Sequence, residues 1–201
     1  MREHFAEFIK RELQPETVLI ACGLPASYKT ETTEVIAKIK GYTIIRTDLI
    51  RLEVLQNEDI FEERVASDMK KRELVYDEMF SLADELAAKG EGIILDATFI
   101  TKELRRRAAA VAARYNKVFV IQQTQCPQEI SVKRISRRSK ENYESNALTV
   151  KAYINNKEKF QPVDLEDLKR LFPSLRILHL MVDTTSDFID DWRVISKVTR
   201  W

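Results

Sequence analysis

The residues best suited to chemistry lie where apolar runs end. Val18–Cys22 is followed by Gly23-Leu24-Pro25-Ala26-Ser27-Tyr28-Lys29-Thr30, then by a helical stretch from Glu31 to Lys40. Set against the phosphate-loop pattern Gly-x-x-x-x-Gly-Lys-Ser/Thr, Gly23, Lys29 and Thr30 fall in place, and Tyr28 stands at the second glycine. A strand that turns sharply into a helix aims backbone N–H groups and the positive helix end at phosphate oxygens. Gly23, Pro25, Ala26, Ser27, Tyr28, Lys29 and Thr30 would form that cradle, with Lys29 reaching the β- and γ-phosphates and the Thr30 hydroxyl binding Mg²⁺. A side chain at Tyr28 would crowd the cradle, or strain the backbone where an unusual dihedral is needed. The competing reading is an ordinary strand–turn–helix junction whose Lys29 and Thr30 are merely solvated.

The next two strand ends carry carboxylates. In Ile45-Arg46-Thr47-Asp48-Leu49-Ile50-Arg51, Asp48 is placed to take the proton of an attacking hydroxyl, and Arg51 to hold an anionic group on the acceptor. Asp48 could equally cap the following helix, and Arg51 could sit in a surface ion pair. In Ile93-Ile94-Leu95-Asp96-Ala97-Thr98, a carboxylate closes a buried run, which is costly without a partner. Asp96 is therefore expected to hold Mg²⁺ through water or to touch the acceptor, or else to cap, and Thr98 is a weaker acceptor-pocket candidate. Beyond a fourth run, Glu129–Lys140 carries Lys133, Arg134, Arg137, Arg138 and Lys140. It reads as a lid over residues 129–146. Arg134 and Arg138, one helical turn apart, would close on the transferring phosphoryl group. The alternative is a solvated basic face.

These residues need elements to position them. Val18–Cys22, Tyr42–Ile45, Gly92–Leu95, Lys117–Ile121 and Ile177–Val182 lack strict alternation, as strands covered on both faces do. Helical spacing fills the intervals: Phe61–Lys89, with Phe61, Val65, Met69, Val75, Met79, Leu82 and Leu86 near one face; Arg105–Tyr115; Glu129–Lys140; and the segments around Ala147–Phe160, Leu165–Leu171 and Asp187–Val198. Alternating strands and helices predict a parallel sheet flanked by helices, in one domain spanning residues 1–201. Only four glycines occur, which disfavours turn-rich all-β folds. Thirty-three basic against 32 acidic residues give a net charge of +1, so bulk charge does not favour a nucleic-acid partner, although a local groove stays open. Cys22 and Cys126 make no disulfide framework, and no apolar stretch is long enough to cross a membrane. With no signal-peptide pattern, a cytoplasmic location is expected.

The ordered pieces Gly23…Lys29-Thr30, Thr47-Asp48-Leu49-Ile50-Arg51, Gly92-Ile93-Ile94-Leu95-Asp96-Ala97-Thr98 and Arg134…Arg138 resemble a P-loop kinase of the polynucleotide-kinase and zeta-toxin-like branch, many of whose members are called AAA-type ATP-binding proteins. Ser145-Asn146-Ala147, Tyr153 and Phe160-Gln161-Pro162 resemble its later segment. The resemblance spans roughly Thr17 to Asp183. It implies a three-layer α/β fold, the P-loop NTPase fold, with five parallel strands in the order 2-3-1-4-5. It also implies ATP and Mg²⁺, with Asp48 as general base, Arg51 on the acceptor phosphate and Arg134 or Arg138 as a lid arginine. The expected activity is transfer of the γ-phosphoryl of ATP to a hydroxyl of a small-molecule or nucleotide-type acceptor. A non-catalytic nucleotide-binding module and a 5′-hydroxyl polynucleotide kinase remain the alternatives. Thr184-Thr185-Ser186 falls near where a purine often rests in this fold.

Overall fold

The computed structural model describes residues 2–56, 65, 68–137 and 149–201. Its strands are β1 (Glu3–His4), β2 (Thr17–Cys22), β3 (Thr43–Arg46), β4 (Ile93–Asp96), β5 (Val118–Gln125), β6 (Ile177–Asp183) and β7 (Arg193–Arg200). They form one sheet in the order β1-β7-β6-β5-β2-β4-β3. The five apolar runs supply β3, β4, β2, β5 and β6, which pair in parallel. The expected five-stranded parallel sheet is nevertheless too small. The sheet has seven strands and is mixed, because β7 joins β6, and β1 joins β7, both antiparallel.

The two additions explain themselves physically. Arg193–Arg200 falls partly in the segment Asp187–Val198, expected as helix, yet it forms a strand. Its Val194, Ile195, Val198 and Thr199 are β-branched and stiff at χ1, which suits a pleated edge better than a helix. Before it, Ile189–Asp191 makes only a single 3₁₀ turn.

The helices are α1 (Phe5–Glu12), α2 (Lys29–Lys40), α3 (Thr47–Val54), α4 (Met69–Ala88), α5 (Lys102–Arg114), α6 (Gln128–Ile135), α7 (Val150–Lys159) and α8 (Leu165–Leu171). Alternation along the strands splits the core in two. Val18, Ile20, Ile93, Leu95, Phe119 and Ile121 face the layer of α4 and α5 with Val75, Met79, Ala83, Ala108 and Ala112. Leu19, Ile94, Val118 and Val120 face Phe5, Phe8 and Ile9 of α1 and Ile36 of α2. Helix α1 was not anticipated, although its buried residues fall at helical spacing i, i+3, i+4. In α4, Asp68 caps the helix by accepting from the Lys70 and Lys71 amides. Met69, expected on the buried face, instead sits exposed beside that cap. Phe61, Arg138, and the 138–146 part of the expected lid with Ser145-Asn146-Ala147 lie outside the described residues.

Candidate functional site

The carboxyl ends of β2, β3, β4 and β5 converge on one edge, and the segment Gly23–Tyr28 crosses it into α2. Gly23 opens this loop at φ 144°, and a Cβ there would fall 2.4 Å from Thr124 Oγ1 and 3.0 Å from the Thr124 carbonyl oxygen, so β5 leaves room for glycine alone. Ser27 is buried, its hydroxyl donating to the Leu24 carbonyl at 2.7 Å and lying 2.6 Å from Thr124 Oγ1. Lys29 folds back so that Nζ donates to the Leu24 carbonyl at 2.8 Å. Pro25 and Ala26 are buried, and Thr30 is half-buried in the first turn of α2. The loop meets the N-terminal end of α2, the positive end of the helix dipole, where negative charge is favoured.

Ala26 and Tyr28 both occupy the left-handed region, at φ 56° and 58°. The Tyr28 side chain leaves the loop and does not fill it. Its ring packs against Trp192, with centroids 5.6 Å apart, and its hydroxyl donates to Asp187 Oδ1 at 2.9 Å. Burial, and next the Asp187 carboxylate, push the Tyr28 phenol upward.

The carboxylates form a second group. Asp96 lies level with Arg46 of β3 and Ala21 of β2 and is almost fully buried. Its Oδ2 accepts from Arg46 Nε at 2.9 Å and from the Thr33 hydroxyl at 3.4 Å. Arg46 also reaches Glu34 Oε1 at 3.1 Å. Asp48, in the first turn of α3, is half-buried. Burial first, and then the charge on Asp96, raise its pKa to about 6 against the pull of Arg51, Lys29 and Arg46. Arg51 is buried on the same helix. Thr98 accepts the Gly23 amide at its carbonyl (3.5 Å). Tyr76, Phe80 and Phe99 pack ring on ring behind Thr98.

Arg134 is placed differently from a guanidinium reaching toward a transferring group. It is buried over the Tyr28 ring, 3.8 Å from the centroid. Nε donates to Asp187 Oδ1 (2.9 Å), and Nη1 to the Ala26 carbonyl (3.3 Å) and Cys126 Sγ (3.2 Å). Nη2 donates to the carbonyls of Thr184, Thr185 and Ser186. The structure thus brings the loop, Asp48, Arg51, Asp96 and Thr98 to one edge of the sheet. Arg46, Tyr76, Thr124, Asp187 and Trp192 were missed. Only Arg46 carried a signal, as a cation next to Thr47-Asp48 at a strand end.

A Mg²⁺ ion needs hard oxygen donors and keeps several waters. The Thr30 hydroxyl and the carboxylates of Asp96 and Asp48 are donors of that kind, although Arg46 already engages one Asp96 oxygen. Among the described residues, no group of three or more His, Cys, Asp or Glu side chains is arranged to hold a metal. The residues therefore suit an ion held jointly with a bound phosphate, not a closed protein cage.

A parallel α/β core with a Gly23–Thr30 loop at the β2–α2 junction defines the class: a P-loop kinase fold. The chain belongs to the AAA domain family, whose model AAA_33 matches residues 18–163. No curated protein matches the sequence. Solved structures share the fold at low identity. A gluconokinase from Sinorhizobium meliloti 1021 is 14% identical, with 87% of this chain and 86% of that one covered and a TM-score of 0.57. The PezAT chromosomal toxin–antitoxin system of Streptococcus pneumoniae gives 16%, 95% and 75%, and 0.58. AvrRxo1-ORF1:-ORF2 with ATP gives 15%, 98% and 60%, and 0.58. No helix among the described residues is long and apolar enough to cross a membrane.

Proposed function

We propose that this protein is an ATP-dependent kinase that transfers the γ-phosphoryl group to a hydroxyl of a small-molecule or nucleotide-type acceptor. The observation that carries the reading is Asp48, a carboxylate with its pKa raised to about 6, standing at the same sheet edge as the phosphate loop. A base needs a pKa near the working pH, so that it is ionised yet still takes a proton well. The loop amides and Lys29 hold the β- and γ-phosphates. The acceptor hydroxyl gives its proton to an Asp48 oxygen while its own oxygen bonds to the γ-phosphorus. The bond from that phosphorus to the bridging oxygen breaks, and ADP leaves with the electron pair. Arg51 holds an anionic part of the acceptor, and Thr98 lines its pocket. Mg²⁺, shared by Thr30, Asp96 and the phosphates, would neutralise charge on the phosphate oxygens.

Asp48→Asn tests the assignment. Turnover should fall by about 10²–10⁴-fold with the affinity for ATP and Mg²⁺ nearly unchanged. Parallel loss of both, or loss of neither, would remove Asp48 as the base. One observation favours a second reading, a nucleotide-binding module without transfer: both Ala26 and Tyr28 bear side chains at left-handed positions in the loop. Binding of ATP without transfer to any of a broad panel of hydroxyl acceptors would favour it.

A further inference from the structure

Glycine takes the left-handed region freely, whereas other residues stay there only when their surroundings hold them. Ala26 and Tyr28 are both in that region. Their restraints share Arg134 of α6; α7 adds to those on Ala26, and the chain following β6 to those on Tyr28. Ala26 packs on Ile135 of α6 and Tyr153 of α7, and its carbonyl accepts from Arg134. The Tyr28 ring touches both Arg134 and Trp192, and its hydroxyl donates to Asp187, which also accepts from Arg134. Between them, the Ser27 carbonyl accepts from the buried Thr184 hydroxyl at 2.9 Å. Three consecutive loop residues are thus fastened from outside the loop. The Arg134 donors are spread over Asp187, Cys126 and four backbone carbonyls, its charge facing Asp187.

We propose that Tyr28 and Arg134 form a latch that holds the phosphate loop in its binding conformation where glycines would otherwise let it form unaided. Arg134 is then a positioning residue, acting through the Tyr28 ring and the Ala26 carbonyl, not a group that touches the transferring phosphoryl. The consequence for binding rests on the proposed nucleotide site, but the consequence for loop conformation does not.

The test compares Tyr28→Ala, Tyr28→Gly and Tyr28→Phe in two measurements: affinity for ADP with Mg²⁺ by calorimetry, and hydrogen exchange of the amides of Leu24 and residues 26–30 without nucleotide. Alanine removes the latch but keeps the backbone penalty, so affinity should fall about five- to thirtyfold and exchange should quicken. Glycine removes both and should recover most of each loss. Phenylalanine keeps the ring and should lose the least. Arg134→Met should weaken ADP in the wild-type background and much less in Tyr28→Gly. Equal losses in the alanine and glycine variants would overturn the latch, as would an Arg134→Met effect of the same size in both backgrounds. If the wild-type protein binds no ADP, the kinase reading fails and exchange alone decides: fast in alanine and slow in glycine supports the latch, and equal rates refute it.

Discussion

Arg46 and Asp96 stand level at the carboxyl ends of β3 and β4, with Arg46 Nε 2.9 Å from Asp96 Oδ2. Parallel pairing sets these two strand ends side by side, so a cation closing one strand meets a carboxylate closing the next. Asp96 is 4% exposed and Arg46 22% at the side chain. Removing one partner of a buried pair leaves the other uncompensated, at about 3–5 kcal/mol, and the partial exposure of Arg46 lowers this. Arg46→Ala should therefore cost about 2–3 kcal/mol in urea unfolding at pH 8. Arg46→Ala with Asp96→Ala together should cost less than the sum of the two. A loss below about 0.5 kcal/mol in the single variant would show the pair to be inert.

The same carboxylate acts on Asp48. Burial is the larger reason that Asp48 titrates at about 6, and the negative charge of Asp96 is the next. Asp96→Asn removes the second and leaves the first. The acidic limb of kcat/KM for phosphoryl transfer should then move to lower pH while staying above the ordinary aspartate range. An unmoved limb would mean that the group titrating there is not Asp48.

Asp48 should also be a liability to the fold. Its folded pKa, about 6, lies above its ordinary 3.8, so the native state holds this proton more tightly than the unfolded chain does. Below about pH 4 the group is protonated in both states and costs nothing. The penalty grows between pH 4 and 6 and stays constant above 6, at about 3 kcal/mol from the size of the shift. Asp48→Asn should therefore raise Tm at pH 8, and the advantage should shrink through pH 6 and vanish near pH 4. A gain independent of pH would point to packing instead of ionisation.

Asp48 and Asp96 were legible because each stands at or just past the end of a short apolar run, and a parallel sheet gathers the ends of such runs on one edge. Gly23 and Lys29 were legible for the same reason. The ties between elements were not. Arg134 meets Asp187 across 53 positions and Arg46 meets Asp96 across 50, separations that no local spacing encodes. Tyr28 looked like an obstruction because sequence gives its identity but not its direction, and the direction depends on Trp192 just before β7. That strand escaped notice in turn because its register shifts opposite Met181 and Val182, which sends Val194 and Val198, four residues apart, to opposite faces of the sheet and breaks the period of two.

Arg105 of α5 is the last such tie. It is 2% exposed. Nη1 donates to the Phe99 carbonyl at 2.9 Å, and Nη2 to the carbonyls of Gln161 and Pro162 at 2.7 and 3.0 Å, with the Phe160 ring 5.7 Å away. One planar fork thereby joins the chain beyond β4, next to Thr98, to the chain beyond α7. A lysine ammonium has the charge but not the fork, so Arg105→Lys cannot serve the buried Phe99 carbonyl and the Gln161 and Pro162 carbonyls together, and it retains a poorly solvated cation. The expected loss is about 3 kcal/mol in urea unfolding. Arg105→Met should lose less, because it removes the charge along with the donors, and a lysine variant as stable as wild type would show that the fork is dispensable.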